Sequence, residues 1–516
     1  MSKKFKKEIY TLIVFLAGTP IIIFLGINST QVEFFTTKFF WFAAIYIFCF
    51  ICSASFAIFF SKKFLISVLF IAYFSFFQLY FNDILHFLKI FQNGITFFCL
   101  LFFIAFISII SILSIKVSIF RNFVITLLLL NIIISIVNFI PATERIFQTF
   151  FKNSEFTDNL TDTKSFKSTK YPNIFYIVPD GLASPKILKN YINIDFNHSI
   201  KSFEEKGFDV NKHIYSSYNL THLSLGALFK MDYPVKETSS IYKGGEKSYP
   251  SIRENNPQLL QYLKLNNYKF IIAPPLWGGC PSSESYICLK PENSSFINYF
   301  FQDYAIKTFL DASLFKEFIT FLNSTKYLNQ STKEHDDTND TIKTTLNKMK
   351  KNPEIWVNGG NFTMIHAYMP HVPYRNEEDC SILDANLYKP HSKEGYRSSV
   401  HCTFKRIHEI SDFIINNYPN ATIVIQADHG VHVDDDNVSK KFFEIPNSFI
   451  DHRMGIFSAV KGCNSSQAVK LNQVNIVKYI IECLAGDAPS KQFENKSYYG
   501  FYQGPDHGKV FPIIYN

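Results

Sequence analysis

The chain has 516 residues, which is more than one small domain needs, and a modest formal net charge of +8. Phenylalanine is abundant, with 57 residues, and the apolar residues are concentrated near the N-terminus. The sequence has no basic stripe with interleaved aromatic residues, so it gives no indication of a nucleic-acid partner.

The N-terminal part contains five apolar segments, each near the roughly 20 residues that a helix needs to span a bilayer. They are Ile9–Ile27, Phe39–Phe60, Phe64–Phe81, Ile95–Ile115 and Ile119–Ile140. Lysine and arginine are concentrated on one side of these segments, at 3–7, 62–63 and 116–121. Because positive charge marks cytoplasmic loops, that side is predicted to be cytoplasmic, and everything after Pro141 is predicted to lie outside.

The segment Phe151–Lys170 is rich in Ser, Thr, Asp, Asn and Lys, which is typical of a polar linker, and we place that linker at 146–170. It separates a predicted transmembrane helical domain, at 1–145, from the remainder of the chain at 171–516. In that remainder, short apolar runs alternate with amphipathic segments. The alternation predicts an α/β domain with a mostly parallel central sheet and helices on both faces.

The clearest elements of this domain can be placed along the chain. The predicted strands are Asn173–Val178, Lys269–Ala273, Phe362–Tyr368 and Thr422–Gln426. The predicted helices are Leu259–Leu265 and Thr403–Ile415. The run Asn329–Asn352 is polar and charged, and we interpret it as a surface insertion.

The predicted external domain has six cysteines, an even number that is typical of disulfide bonding outside the cytoplasm. Several pairings are possible, and the sequence alone does not select one. Sequential pairing is the simplest hypothesis, and it joins Cys280 to Cys288, Cys380 to Cys402, and Cys463 to Cys483.

Acidic residues follow directly after two of the predicted strands. Asp180 closes the first strand, and Asp428 with His429 closes the strand at Thr422–Gln426. In open α/β sheets, ligands bind beyond the carboxyl ends of strands. A carboxylate beside an imidazole at such an edge can share one metal ion. The alternative is an ordinary turn with a capping Asp and a surface His.

Further candidates lie elsewhere in the domain. Thr221 stands where a helix is predicted to begin, so its hydroxyl faces backbone N–H groups that attract anions. A simple helix cap is the alternative for this residue. His366 and His371 follow another predicted strand, and His507 lies in GPDHGK near the C-terminus. Two acids, a hydroxyl and a His could bind one metal ion, which would activate the hydroxyl for covalent attack.

Four stretches, spread between Tyr171 and His432, carry a family resemblance: YPNIFYIVPDG, SYNLTHLSLGALFKMDYP, MIHAYMPHVPY and ATIVIQADHG. In this order they resemble the sulfatase-like membrane enzymes of the alkaline phosphatase superfamily. That group includes the phosphoethanolamine and phosphoglycerol transferases of bacterial envelopes. The arrangement of about five N-terminal spans before an external domain is similar too.

The resemblance implies one divalent metal ion, with Zn²⁺ or Mn²⁺ preferred and Ca²⁺ or Mg²⁺ left open. The implied metal ligands are Asp180, Thr221, Asp428 and His429. It makes Thr221 the nucleophile and assigns substrate binding to His371, with His366 and His507 as weaker matches. It also implies a multi-pass protein of the bacterial inner membrane with a periplasmic catalytic domain. Such an enzyme moves a phosphoryl-linked head group, such as phosphoethanolamine, from a lipid donor to an envelope lipid or glycan.

Two features depart from the family pattern. The sulfatase signature C/S-x-P-x-R is absent near Thr221, since Ser224 is followed by Leu-Gly-Ala-Leu. Envelope transferases usually carry Glu where Asp180 stands. The first departure counts against sulfate-ester hydrolysis by the usual route, and the second makes the match to the transferases imperfect. Hydrolysis of sulfate or phosphate esters is kept as an alternative activity. An alternative of another class is an inactive binding or scaffold module of polysaccharide assembly.

Overall fold

The computed structural model describes residues 21–22, 24, 41–48, 130, 133, 136–137, 171–236, 257–273, 286–289, 306, 309, 340–372, 374, 376–381, 388, 391–433, 440–486, 493–501, 505–506 and 509–513. The chain divides into two compact units. One consists of Met1–Asn159 with Ser295–Ser331, and the other of Leu160–Ser294 with Thr332–Asn516. The domain boundaries drawn from the sequence, at 145 and 170, stay predictions.

In the first unit, residues 41–48 are helical. The rings of Phe42 and Tyr46 pack against Phe309, with ring centroids 5.4 and 5.5 Å from it. Among the described residues, none of the helices has both the length and the apolar character needed to cross a membrane. The five predicted spans fall almost wholly outside those residues, so the transmembrane domain stays a prediction.

The second unit is built on a seven-stranded sheet. Its strands are β1 (Ile174–Pro179), β2 (Asp209–Tyr215), β3 (Lys269–Ala273), β4 (Tyr286–Cys288), β5 (Asn361–Ala367), β6 (Thr422–Gln426) and β7 (Gly455–Lys461). They are ordered β2-β7-β6-β1-β5-β3-β4. Strand β7 is antiparallel to both of its neighbours, and the other paired strands are parallel. The prediction of a mostly parallel central sheet is confirmed.

The central strands are apolar because both faces of the sheet are covered. Every residue of β1, β5 and β6 is buried. Ile174 of β1 lies opposite Phe362 of β5 and Thr422 of β6. Since these three strands are parallel and adjacent, their carboxyl ends meet at the same edge of the sheet. Residues that follow the strands are thereby brought together.

Helices cover both faces of the sheet, as predicted. They are α1 (Pro185–Asn190), α2 (Asn197–Glu205), α3 (Thr221–Lys230), α4 (Gln258–Leu265), α5 (Thr341–Lys351), α6 (Glu354–Val357), α7 (Lys393–Asn417), α8 (Asn447–Met454), α9 (Ser465–Ala468) and α10 (Ile476–Leu484). Phe175 and Ile177 of β1 belong to the core on the side of α1, α2, α5 and α7. Tyr176 and Val178 point to the opposite side and pack with α3, α4 and α10.

The interpretation of Asn329–Asn352 as a surface insertion is wrong for its C-terminal half. Thr341–Lys351 forms α5, and the Asp340 side chain caps it by accepting a hydrogen bond from Lys343 N at 3.0 Å. Ile342, Leu346 and Met349 are buried in the core on the α7 side. Their spacing of four and three residues forms a narrow apolar stripe, which the polar and charged residues around it conceal.

A small antiparallel sheet near the C-terminus supports the segment that leads into α3. Its strands are β8 (Ser497–Gly500) and β9 (Val510–Ile513). Tyr498 N donates to Ser217 O at 2.9 Å, and Gly500 N donates to the Asn219 side chain at 2.7 Å. The approach to Thr221 is therefore fixed by contacts with a distant part of the chain.

Two of the sequentially paired disulfides are confirmed. Cys380 is bonded to Cys402, and Cys463 is bonded to Cys483. Cys288 is also disulfide-bonded. The predicted partner of Cys288, Cys280, lies outside the described residues.

Candidate active site

Asp180 stands at the turn that follows β1. Its backbone N–H donates to Ala367 O at 2.8 Å, which extends the pairing of β1 with β5 by one residue. Gly181 comes next with φ of 76°, a conformation that favours glycine and turns the chain sharply away from the sheet. The Asp180 side chain remains at the sheet edge and is almost fully buried.

Asp428 and His429 follow β6, beside the end of β1. Asp428 Oδ1 accepts hydrogen bonds from Gly181 N at 3.0 Å and from His429 N at 2.9 Å. These two backbone donors fix the carboxylate in one orientation. Its second oxygen, Oδ2, is buried and accepts no hydrogen bond. His429 Nε2 lies 3.3 Å from Asp180 Oδ1 and 3.6 Å from Asp428 Oδ2.

Thr221 reaches the same place from the first turn of α3. Leu220 before it is extended, so the chain enters the helix abruptly. Thr221 Oγ1 lies 3.0 Å from His429 Nε2. On the other side of that ring, Nδ1 lies 2.7 Å from Gly430 O, which can only accept a hydrogen bond. In the neutral imidazole, Nδ1 therefore carries the proton, and the Nε2 lone pair faces Thr221.

The structure brings two further histidines to this cluster. His366, the penultimate residue of β5, is buried with Nε2 3.5 Å from Asp180 Oδ2. The potential ligand atoms of Asp180, His366 and Asp428 all lie within 4.8 Å of one another. The same holds for Asp180, His371 and His429. The resemblance assigns His366 and His371 to substrate binding. His366 lies within reach of both acids, and His371, which is half-buried, lies within reach of Asp180.

The C-terminal candidate His507 stays a prediction. His507 lies outside the described residues. Its neighbour Asp506 accepts hydrogen bonds from Phe442 N at 2.8 Å and from Lys509 Nζ at 2.9 Å. Asp506 therefore holds together two surface segments, and its lowered pKa has the Lys509 hydrogen bond as its main cause.

The two buried carboxyl groups titrate differently. Burial opposes the charge of Asp180, but the imidazoles of His371, His366 and His429 outweigh it and hold the pKa of Asp180 well below its usual value. Burial and the neighbouring Asp180 charge raise the pKa of Asp428. Burial likewise opposes the charge of His429, but the two carboxylates raise its pKa. The cluster thus favours positive charge between Asp180 and Asp428.

The donor set fits a divalent metal ion. Asp180 Oδ1 and Asp428 Oδ2 are buried without an accepted hydrogen bond, and such oxygens are stable when a cation coordinates them. His429 offers an imidazole nitrogen, and Thr221 offers a hydroxyl oxygen beside it. Carboxylate and imidazole together suit Zn²⁺, and the oxygen atoms also suit Mn²⁺.

Two side chains that no motif in the sequence reveals hold this arrangement in place. Gln473 Nε2 donates to Ala427 O at 2.7 Å, and its Oε1 accepts from Ser217 N at 2.8 Å. It thus joins the strand end before Asp428 to the segment before Thr221. The Tyr396 hydroxyl donates to Gly181 O at 2.8 Å and accepts from Ala183 N at 2.9 Å. It fixes the turn after Asp180.

Sequence reasoning also missed His432 and Arg453. The His432 ring lies 4.5 Å from the His429 ring and 5.6 Å from the His371 ring. Burial and the nearby Arg453 charge lower the pKa of His432 well below its usual value. The spacing of His429 and His432 in ADHGVH is the only local signal for this neighbour.

No family model matches the chain, and no curated protein matches it. Solved structures do match. The periplasmic domain of phosphoethanolamine transferase EptC from Campylobacter jejuni is 12% identical, with 63% of this chain and 96% of that chain covered and a TM-score of 0.38. Lipooligosaccharide phosphoethanolamine transferase A (EptA) from Neisseria meningitidis, an integral membrane protein, is 9% identical, with 92% and 95% covered and a TM-score of 0.38.

A sulfatase from Bacteroides thetaiotaomicron, concerned with the metabolism of glycosaminoglycans, is 13% identical, with 66% of this chain and 84% of that chain covered and a TM-score of 0.37. The similar structures are phosphoethanolamine transferases and sulfatases. These are the enzyme groups that the sequence motifs resemble. Because the identities and TM-scores are low, the similarities assign no residue role, substrate or activity to this chain.

Proposed function

We propose that this chain is a membrane-anchored, metal-dependent transferase with a threonine nucleophile. It moves a phosphoryl-linked head group, such as phosphoethanolamine, from a lipid donor to an envelope lipid or glycan. The observation that carries the proposal is the position of the Thr221 hydroxyl, 3.0 Å from His429 Nε2 at the end of a buried acidic pair. A hydroxyl that only capped a helix would not need this buried charge beside it.

Four residues would hold the metal ion in this proposal: Asp180, Asp428, His429 and Thr221. When bound, a divalent metal ion lowers the pKa of a coordinated hydroxyl and neutralises charge on a phosphoryl oxygen. The first turn of α3 adds backbone N–H groups that favour an anion next to Thr221. His371, half-buried at the rim of the cluster, contacts the phosphoryl group.

The reaction proceeds in two substitutions at phosphorus. The Thr221 hydroxyl loses its proton as Oγ1 bonds to phosphorus, while the bond from phosphorus to the lipid oxygen breaks and that oxygen takes up a proton. An acceptor hydroxyl then loses its proton and bonds to phosphorus, while the bond to Thr221 breaks and Thr221 Oγ1 regains a proton. Gln473 and Tyr396 keep the strand end, the turn after Asp180 and the start of α3 in register during both steps.

A lipid donor requires a membrane location, and we extend the proposal to five N-terminal spans with the catalytic domain in the periplasm. Two observations support this. Trp41, Ile45 and Phe48 lie on one side of a helix and are 65%, 52% and 67% exposed, which suits contact with lipid. The disulfides of the catalytic unit are typical of an oxidising compartment.

The experiment is mass spectrometry of envelope lipids and glycans from bacteria that produce the protein, a Thr221→Ala variant, or neither. We expect a modified lipid or glycan only with the unaltered protein. Loss of the nucleophile should lower the amount of product by on the order of 10³-fold or more.

Thr344→Ala is the matched control, since Thr344 lies on the outer helix α5 and its loss should leave the product unchanged. Release of a free head group without a modified acceptor would show that the enzyme hydrolyses its donor and does not transfer the group. If the Thr221→Ala variant formed as much product as the unaltered protein, Thr221 would not be the nucleophile.

A further inference from the structure

The chain connects the first unit and the catalytic unit at three places. It enters the catalytic unit between Asn159 and Leu160, returns to the first unit at Ser295, and leaves it again after Ser331. The elements that flank this return, β4 and α5, both belong to the catalytic unit. We call Ser295–Ser331 the return segment. Connections inside a compact domain are commonly about 4–6 residues long, and one of roughly 40 residues usually has a function of its own.

The return segment begins with an apolar and strongly aromatic stretch. Seven phenylalanines stand between positions 296 and 321, counting both ends. Surface connections are usually polar, and the return segment takes on that composition only after Leu322. Because removing apolar surface from water is favourable, this stretch is expected to pack against another apolar surface.

Two residues of the return segment show which surface it packs against. Ile306 and Phe309 are helical, and both are fully buried. Residues three positions apart share one face of a helix, so the two side chains point the same way. The Phe309 ring lies 5.2 Å from the ring of Phe24, 5.4 Å from Phe42 and 5.5 Å from Tyr46, measured between centroids. All three pairs are edge-to-face, which is a favourable geometry for aromatic rings.

The partners of Phe309 come from two different parts of the N-terminal sequence. Phe24 belongs to the first predicted span, and Phe42 and Tyr46 belong to the second. One ring of the return segment therefore contacts both spans. Trp41, which precedes Phe42 in the same helix, is 65% exposed, so the contact is confined to one side of that helix.

The burial of Phe309 also decides between two kinds of partner. A phenylalanine that faced lipid would be exposed on the protein surface, as Trp41 and Phe48 are. Phe309 has no exposed surface, and Phe24 and Phe42 beside it are buried as well. The partner of this face is therefore the N-terminal part of the same chain.

We propose that the return segment is an intramolecular anchor. It docks on the N-terminal helices through Ile306 and Phe309, and it ties the catalytic unit to them at a second place, independent of the polar linker. The purpose of the anchor rests on the proposed function, because an enzyme that takes its donor from the membrane must not separate from its membrane part. The docking itself requires neither a substrate nor a metal ion.

The test uses the full-length chain with an N-terminal affinity tag and a protease site inserted between Asn159 and Leu160, purified in detergent. Cleavage removes the linker, so only noncovalent contacts can keep the fragment that starts at Leu160 on the affinity resin. We expect this fragment to stay bound. The Phe309→Ala variant should release it about tenfold faster or more, because a central buried aromatic side chain is lost.

A double-mutant cycle tests the contact itself. Phe42→Ala should also speed release, and the combined Phe42→Ala and Phe309→Ala variant should show less than the product of the two single effects, because both remove the same contact. Trp41→Ala is the matched control, since it truncates the exposed aromatic residue next to Phe42 and should leave release unchanged. Thr221→Ala should also be retained, which separates this test from the test of the transfer reaction.

Four results would overturn the proposal. They are release of the fragment from the unaltered chain on cleavage, unchanged release from the Phe309→Ala variant, and purely multiplicative effects in the cycle. The fourth is a single band on a non-reducing denaturing gel after cleavage, which would mean that a disulfide joins the fragments. Circular dichroism of the fragment released from Phe309→Ala should show a folded catalytic unit, and an unfolded one would reject docking as the role of Phe309.

Discussion

The charge of Asp428 should have two effects: it repels the Asp180 carboxylate when no metal is bound, and it binds the metal ion when one is present. Replacing Asp428 by Asn should separate these two effects. Asp428 Oδ1 accepts two backbone hydrogen bonds, and an asparagine oxygen can accept both. The asparagine N–H₂ would then occupy the place of Oδ2, which accepts no hydrogen bond and faces the Asp180 carboxylate. Without metal, the variant should be as stable as the unaltered chain or more stable, because one buried like charge is removed.

With metal bound, the unaltered chain should be more stable than the Asp428→Asn variant. A ligand at about 100 times its dissociation constant stabilises the folded state by about 2.7 kcal/mol. For a unit of roughly 300 residues, an unfolding entropy of about 2.1 cal/mol/K per residue makes this a rise in Tm of about 4 °C. The Asp428→Asn variant should lose most of that rise, because a neutral amide is a weak ligand for a divalent ion.

The assay is thermal unfolding of both proteins in EDTA and in a series of Zn²⁺ and Mn²⁺ concentrations. Asp412→Asn serves as the control, since Asp412 pairs with Lys206 on the outer part of α7. Equal metal-induced shifts in the Asp428→Asn variant and the unaltered chain would refute the reasoning. The reasoning would also be refuted if the metal-free variant were destabilised by several kcal/mol. In that case the Asp428 carboxylate would stabilise the fold even without a metal ion.

Three further predictions address location, redox state and pH. A reporter fused after Asn516 should be active only outside the cytoplasm, and cytoplasmic activity would reject the five-span topology. Alkylation without reduction should leave Cys380 and Cys402 unmodified, whereas labelling of both would contradict the disulfide. Burial and the charge of Lys206 lower the pKa of His408 to about 4 in the folded chain. In the unfolded chain this histidine binds a proton below about pH 6.5. The free energy of unfolding should therefore fall as the pH drops from about 6.5 towards 4. The His408→Phe variant keeps an aromatic ring packed on Phe203. Thermal unfolding at pH 5 should show that it regains about 1 kcal/mol of unfolding free energy, after allowance for solvent screening. An unchanged pH dependence of stability in this variant would reject His408 as the cause.

The central sheet could be predicted from the sequence because its strands are buried on both faces. Such strands read as mostly apolar runs, as in β1 and β6, and an acidic residue follows each within two positions. Parallel pairing then brings Asp180 and Asp428 to one edge without further information. The sequence order of the motifs therefore carried most of the information about which residues converge.

Other features could not be predicted because their signal lies in contacts between distant residues. Gln473 and Tyr396 act only through backbone groups far away in sequence, and neither belongs to a local pattern. The placement of His366 within reach of the acidic pair depends on the register of β5 against β1, which a single sequence does not specify. Helix α5 was concealed because its buried stripe contains only three large apolar residues.

The most direct measurement of the central claim is mass spectrometry of the full-length chain after brief incubation with a phosphoethanolamine lipid and metal, in the absence of acceptor. The account predicts that the peptide containing Thr221 gains the mass of one phosphoethanolamine group, and that fragmentation assigns the group to Thr221 itself. The adduct should be absent in Thr221→Ala and should disappear when acceptor is added. An adduct on another residue, or full transfer activity without any adduct, would contradict the account.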